Sequence, residues 1–251
     1  MDDVTRFNDD EAYYADRSYL SNSSLKLMTK SPTKFHLWRQ GKWSWPSASY
    51  FDVGQALHSM FLEGKDISVK WNGTRRGNDY KAFKAENTGK LVLPTKDYDC
   101  VQGMYDKLQK VSEVTDLMGF DFQPEIPGVM EWSLESGEVV KLKGKADSIV
   151  EDGGRRYLVD LKTTAKPLEE WSRNAKWMYA QQAYLYSEIF NCDEFYFLVI
   201  EKEFPYEVGI YKASENFLNF GAMELHKSIN LYEKLFLNGE FRPYYAIVGE
   251  L

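Results

Sequence analysis

The chain has 251 residues, with 31 Lys and Arg against 38 Asp and Glu, 43% hydrophobic residues and 16% aromatic residues. This composition is typical of a folded globular protein and excludes the fibrous, collagen-like and disordered classes. The net charge of −7 argues against a protein that coats nucleic acid by bulk electrostatics, but it is compatible with a nuclease that holds a metal with acidic residues.

Cysteine content and chain organisation narrow the class further. Cys100 and Cys192 are the only cysteines, so neither a multi-bridge disulfide framework nor a Cys-only metal site is available, and a reducing cytoplasm is expected. The polar start from Met1 to Asp10 lacks the features of a secretory signal, and no segment is apolar enough to span a bilayer. Without repeats or a long linker, residues 1–251 are predicted to form one domain.

The first third of the chain is predicted to be helical. Ser21–Gln40 reads as two short helices, because Ser31 can cap a helix that starts with Pro32. Tyr50–Glu63 reads as a stronger helix that Gly64 ends. Four apolar residues of that helix lie on one face: Val53, Leu57, Met60 and Phe61.

The rest of the chain alternates between helix and strand. Ile67–Gly89 is polar and irregular, with Arg75 and Arg76 in a predicted mobile loop, whereas Thr95–Lys110 predicts a helix. Phe122–Lys162 is rich in β-formers and predicts a meander of short strands with turns at Pro127-Gly128, Ser136-Gly137 and Gly153-Gly154. The later elements are a helix at Leu168–Phe190, strands at Glu194–Ile200 and Tyr206–Lys212, and a helix at Ser214–Leu237. This order predicts a mixed α/β sandwich.

The most informative segment is a hairpin that carries two aspartates. If Gly153-Gly154 is a two-residue loop, paired positions sum to 307 and Asp147 lies opposite Asp160. If Asp152-Gly153 is the loop, the two aspartates are diagonal neighbours on the same face. A three-residue loop would place them on opposite faces.

Two facing carboxylates destabilise a sheet unless a proton or a cation lies between them. Alternation places Arg156, Leu158, Asp160 and Lys162 on one face, with Lys143, Lys145, Asp147 and Ile149 on the matching face of the partner strand. Oxygen ligands favour Mg²⁺ or Mn²⁺ over zinc, and Lys162 beside such an ion suits phosphodiester hydrolysis. The alternative is an exposed hairpin with mixed surface charges.

These residues also carry a family resemblance. Their order along the chain resembles that of the PD-(D/E)xK nuclease superfamily, in its RecB-like branch with a Q-x-x-x-Y motif. The order is Asp147, then Asp160–Lys162, then Gln182 and Tyr186. A further resemblance, to phage-type exonucleases related to RecE (exonuclease VIII), is carried by three segments: Tyr19–Lys26, Ser31-Pro32 and Gly54–His58. Ala146 stands where the superfamily often has proline before the first aspartate.

The resemblance implies a restriction-endonuclease-like core, an α/β fold with a central mixed β-sheet flanked by helices, that hydrolyses DNA with Mg²⁺. It implies that Asp147 and Asp160 bind the metal together with the backbone carbonyl of Leu161, and that Lys162 is the catalytic lysine. Gln182 and Tyr186, four residues apart on one helix face, would brace the active site or the DNA backbone.

Two further metal ligands follow from the same resemblance, each with an alternative. His58 matches a histidine near the metal, although its apolar neighbours also suit a core histidine. Glu125 matches an additional upstream acid, although Glu131 competes for that role and a solvated glutamate is the simpler alternative. Ser23, Ser24 and Lys26 are candidates for a 5′-phosphate pocket, with helix capping as the alternative.

The resemblance also implies how DNA would be handled. It implies 5′ to 3′ digestion of one strand of linear duplex DNA, which leaves a 3′ overhang for a single-strand annealing protein in phage-type recombination in a bacterial cytoplasm. Relatives form rings, so a homo-oligomeric tetramer or trimer is expected. Two alternatives are a structure-specific or single-strand endonuclease with the same core and a non-catalytic DNA-binding protein.

Overall fold

The computed structural model describes residue 7 and residues 9–46, 49–119 and 122–243. The α-helices in this part of the chain are α1 (Asp10–Ala15), α2 (Asn22–Lys30), α3 (Pro32–Arg39), α4 (Ser49–Leu62), α5 (Asn78–Glu86), α6 (Thr95–Lys110), α7 (Ser112–Met118), α8 (Leu168–Phe190) and α9 (Glu215–Tyr232). The strands are β1 (Leu20–Ser21), β2 (Ser68–Trp71), β3 (Leu91–Pro94), β4 (Gln123–Ser133), β5 (Val139–Asp152), β6 (Arg155–Thr164), β7 (Glu194–Glu201) and β8 (Val208–Lys212).

Local capping signals explain why the predicted helices begin and end where they do. The Ser31 side chain accepts a hydrogen bond from the Lys34 amide, and Pro32 occupies the first turn of α3. Ser21 and Ser24 form a reciprocal capping box at the start of α2. Ser24 therefore acts as a cap, which is the alternative to its predicted place in a phosphate pocket.

The main sheet is mixed and has the strand order β1-β5-β6-β7-β8, with β4 paired to β5 off this path. Strand β5 is antiparallel to β4 and β6, whereas β6 and β7 are parallel and are connected through α8. A second, small parallel sheet contains β2 and β3. The prediction of an α/β fold with a central mixed sheet is confirmed.

Helices cover both faces of the main sheet. On one face, α4, α6 and α7 pack on apolar side chains that include Val159 and Leu161 of β6. On the other face, α8 packs on side chains that include Leu158 of β6 and Phe197 of β7. Helix α9 lies against α8 and α2. The alternation of Leu158, Val159 and Leu161 between the two clusters fixes which β6 side chains face α8.

Several predictions from the pattern are wrong in detail. Ile67–Gly89 is not irregular throughout, because it contains β2 and α5, between which Arg75 and Arg76 lie. Pro127-Gly128 is not a turn but lies inside β4, whose only pairing among the described residues is with β5. An edge strand tolerates proline, and Gly128 lets α8 approach, since a Cβ there would lie 2.5 Å from Ile189. The last helix ends at Tyr232 and continues as a π-helical turn to Leu237.

Among the described residues, none of the helices combines the length and the apolar character that crossing a membrane requires.

Candidate metal centre and active site

The hairpin has the register in which paired positions sum to 307. Gly153 and Gly154 form its two-residue loop with φ values of 55° and 79°, and the ladder runs from Asp152 opposite Arg155 to Ser148 opposite Val159. Two consecutive residues with positive φ are the signature of a tight hairpin turn, in which glycine carries no strain. The next facing positions belong to Asp147 and Asp160, where the ladder has ended.

Beyond this point β5 and β6 separate. Strand β4 occupies one edge of β5 from Val139 to Ile149, so β6 and β1 must share the other edge. β6 pairs there down to Ser148 and β1 pairs at Leu142 and Lys143, which leaves positions 144–147 facing a gap. The gap opens the sheet at the first aspartate of the predicted motif.

Side chains replace the missing strand pairing at Leu161. If the pairing of β5 and β6 continued, the backbone groups of Leu161 would bond to β5. Instead, its N–H donates to Asp147 Oδ2 at 2.9 Å, and its carbonyl accepts from His58 Nε2 at 2.8 Å. Because the carbonyl can only accept, His58 Nε2 carries the hydrogen, and in the neutral ring Nδ1 keeps its lone pair. That Nδ1 lies 3.7 Å from Asp147 Oδ2.

A potential metal-binding cluster forms at the gap from three elements. His58 of α4, Glu125 of β4 and Asp147 of β5 each offer one ligand atom, and these atoms lie within 4.8 Å of one another. Glu125 has a φ of 56°, an unfavourable backbone conformation for a non-glycine residue that turns its side chain toward this cluster. Glu131 lies further along β4, where it pairs with Lys141 at 3.8 Å.

Asp160 lies beside the cluster but outside the group of three. It is 0% exposed on the α8 face, and its Oδ1 accepts a hydrogen bond from Gln182 Nε2 at 2.8 Å. Its Oδ2 forms an ion pair with Lys162 Nζ yet makes no hydrogen bond of good geometry. Burial raises the pKa of Asp160 to about 6, with Lys162 lowering it and the Asp147 charge raising it further.

Lys162 is held by electrostatic contacts on the same face. Burial alone would lower its pKa, but the charges of Asp160 and Asp147 outweigh that effect and raise the pKa above its ordinary value. Its ammonium lies 5.5 Å from the centre of the Tyr179 ring, and Lys26 Nζ lies 6.0 Å from the same ring. Lys162 is therefore a fixed cation close to both aspartates.

Gln182 and Tyr186 lie on one face of α8, but only Gln182 contacts a predicted ligand. The Tyr186 ring packs on Gly144, where a Cβ would lie 2.8 Å from it. Burial raises the pKa of Tyr186 well above its usual range, so the phenol is neutral. Tyr186 is thus placed to support β5 next to the gap rather than to touch the cluster directly.

The predicted faces of β5 need a correction. Gly144, beneath Tyr186, and Ala146 face α8, so Lys143 and Lys145 point to the other side of the sheet and do not share a face with Lys162. Ala146 and Ile149 both pack into the α8 cluster although they are three residues apart, which shows that regular alternation shifts by one residue at Asp147. The simple period of two therefore fails at the site itself.

The pattern missed two participants. Asp10 of α1 lies 2.6 Å from Lys145 through a contact that spans 135 residues of sequence, so no local signal could reveal it. Tyr179 precedes Gln182 by less than one helical turn, and this spacing could have placed it near the same surface.

The donor set fits a hard divalent cation. Two carboxylates and one imidazole with an available lone pair converge, and the buried Oδ2 of Asp160 lacks a well-directed partner. Carboxylate-rich sites of this kind suit Mg²⁺ or Mn²⁺, whereas structural zinc prefers more nitrogen or sulfur ligands. His58, Glu125 and Asp147 would hold the metal, with Asp160 beside them.

An open β-hairpin with a carboxylate-rich cluster and an adjacent lysine, on a mixed sheet between helices, defines a PD-(D/E)xK-type domain. The family described as "PDDEXK-like domain of unknown function (DUF3799)" matches residues 21–248, and the chain belongs to this family. The family match confirms the PD-(D/E)xK relationship that the motifs indicate.

One solved structure shares the fold of this chain, and a second is a weaker match. The crystal structure of a protein named "Putative exonuclease" from Eubacterium rectale matches with a TM-score of 0.65 at 20% identity, covering 93% of this chain and 88% of that chain. A phage related exonuclease from Haemophilus somnus 129PT matches with a TM-score of 0.37 at 14% identity, covering 88% of this chain and 96% of that chain. None of the curated proteins matches the sequence.

Proposed function

We propose that the chain is a Mg²⁺-dependent exodeoxyribonuclease that digests one strand of linear double-stranded DNA from 5′ to 3′ and leaves a 3′ overhang. The observation that carries this proposal is the meeting of the His58, Glu125 and Asp147 cluster with the Asp160 and Lys162 pair at one gap in the sheet. Mn²⁺ is expected to substitute for Mg²⁺.

The chain's own groups divide the chemistry between them. A bound Mg²⁺ supplies a water of lowered pKa and neutralises charge on the phosphate. Lys162 places a permanent positive charge where negative charge develops on the scissile phosphate. Asp160 holds that ammonium by the ion pair, and Gln182 in turn orients Asp160 through its 2.8 Å hydrogen bond.

The choice of an exonuclease, its polarity and its role in recombination rest on the N-terminal resemblance to RecE-type enzymes. The name of the Eubacterium rectale relative agrees with this choice. We further propose a homo-oligomeric ring, a tetramer or a trimer, that encloses DNA and passes the overhang to an annealing protein. A ring would keep a chain with a net charge of −7 on DNA by topology rather than by bulk attraction.

Linear duplex DNA labelled at either the 5′ or the 3′ end, compared with covalently closed circular DNA, tests the proposal. We expect Mg²⁺-dependent early loss of the 5′ label from linear DNA and intact circles. Early loss of the 3′ label would reverse the polarity, cutting of circles would indicate an endonuclease, and binding without cleavage would indicate a non-catalytic protein. The mass of the protein in solution, by light scattering, tests the ring.

A further inference from the structure

A lysine beside the ligand cluster bridges two carboxylates. Lys145 Nζ lies 2.5 Å from Glu125 Oε2 and 2.6 Å from Asp10 Oδ1. We propose that Lys145 is a placeholder for the divalent metal: it neutralises Glu125 in the metal-free site and shifts to Asp10 when Glu125 takes up the ion. Asp10 is then a positioning residue for metal binding. This inference rests on the proposed metal site.

The environment of the three groups supports an exchange of partners. Lys145 is 15% exposed and Glu125 is 25% exposed, so neither charge is well solvated, whereas Asp10 is 69% exposed. A partly buried ammonium that loses its only counter-charge is strongly destabilised. With Asp10 present, Lys145 keeps one ion pair after releasing Glu125, so the release is less costly.

The N-terminal helix is fixed in place independently of this ion pair. Lys143, two residues before Lys145, donates hydrogen bonds to the carbonyls of Tyr13 and Asp16, the latter at 2.7 Å. Its ammonium also lies 4.5 Å from the centre of the Tyr13 ring. Because Lys143 anchors α1 to β5, the Asp10 carboxylate is already positioned beside Lys145 when a metal arrives.

The placeholder role has a defined electrostatic consequence. A lysine cation and a divalent cation compete for one carboxylate, so removing Lys145 removes a competitor, whereas removing Asp10 leaves Lys145 more firmly on Glu125. The two substitutions therefore change metal affinity in opposite directions. The Asp10 effect also depends on Lys145, so the two effects cannot be additive.

Direct Mn²⁺ binding, measured by electron paramagnetic resonance of the free ion with EDTA-treated, dialysed protein, tests this inference without an activity assay. We expect Asp10→Asn to raise the Kd about fivefold and Lys145→Met to lower it about fivefold, as for a partly exposed ion pair. The double variant should have the same Kd as Lys145→Met. Asp10→Glu, which keeps the charge that Asp10→Asn removes, should have the wild-type Kd. Glu11→Gln removes the same charge one position along α1 and serves as the matched control.

The outcomes separate this inference from the proposed function. If Asp147→Asn abolishes binding but Asp10→Asn behaves like Glu11→Gln, the placeholder role is wrong and the metal site stands. Additive effects of Asp10→Asn and Lys145→Met would also overturn the placeholder role. If Asp147→Asn leaves Mn²⁺ affinity unchanged, the metal site itself is wrong, and the placeholder role falls with it.

Discussion

Replacing Asp160 with asparagine should stabilise the metal-free protein, because burial disfavours an ionised carboxylate at this position. Asp160 is 0% exposed, and burial raises its pKa from 3.8 to about 6. At 1.36 kcal/mol for each pH unit, that difference corresponds to about 3 kcal/mol by which the fold favours the neutral carboxyl over the ionised one. Asparagine has nearly the same shape without the charge.

The net gain should be smaller than this figure. Asparagine retains an oxygen that can accept the Gln182 hydrogen bond, but it leaves the Lys162 ammonium without its counter-charge. We therefore expect Asp160→Asn to raise the free energy of unfolding by about 1–3 kcal/mol at pH 8 with EDTA present. Asp160→Ala should be less stable than Asp160→Asn by about 1–3 kcal/mol, because it also removes the acceptor of the Gln182 hydrogen bond.

The raised pKa of Asp160 determines how the stability difference between Asp160→Asn and wild type changes with pH. A carboxyl whose pKa is raised by folding contributes its full stability below the unfolded pKa of about 4, and that contribution is lost as the pH rises through 6. Asparagine does not titrate. The advantage of Asp160→Asn over wild type should therefore be near zero at pH 4 and complete above pH 7.

Urea unfolding followed by tryptophan fluorescence at pH 4 and pH 8 measures this difference. Asp106→Asn, an exposed carboxylate on α6, is the matched control and should change stability by less than about 0.5 kcal/mol at either pH. If Asp160→Asn is less stable than wild type at pH 8, or if its advantage is the same at both pH values, then the buried charge of Asp160 does not destabilise the fold.

Three other substitutions test separate contacts. Gln182→Ala should destabilise the fold by about 1–3 kcal/mol in urea, since Asp160 loses its donor; an unchanged midpoint would contradict this. Gly144→Ala should lower the melting temperature, because a Cβ would meet Tyr186 at 2.8 Å, costing about 1–3 kcal/mol; wild-type melting would show that the ring moves freely. His58→Ala should weaken Mn²⁺ binding at least about tenfold in calorimetry, and unchanged affinity would remove His58 from the site.

Elements with strong local signals were predictable from the sequence. The bounds of α6 and α8 match the predicted helices Thr95–Lys110 and Leu168–Phe190, because both segments combine helix formers with clear ends. The hairpin itself was predictable, and its register is one of the three that the sequence left open, the one that a two-residue Gly153-Gly154 loop with positive φ gives. Local chemistry determines these features, so local patterns indicate them.

Features that depend on tertiary contacts were not predictable in this way. Gly128 reads as a turn residue, but it lies in a strand because α8 approaches it closely. Glu125 reaches the cluster through a positive φ that a period-two pattern cannot encode, and Asp10 meets Lys145 across 135 residues. The separation of β5 from β6, which opens the site, arises because β1 and β6 share one edge of β5.

Mg²⁺-dependent release of acid-soluble nucleotides from linear duplex DNA, by wild type and by Lys162→Ala, shows whether Lys162 serves a metal-dependent nuclease site. Lys166→Ala is the matched control, since Lys166 is an exposed lysine four residues further along the chain that pairs with Glu170. We expect activity in wild type and Lys166→Ala that EDTA abolishes, and a loss of at least about a hundredfold in Lys162→Ala, as for removal of one group that stabilises transition-state charge. Full activity of Lys162→Ala would show that this lysine has no part in hydrolysis.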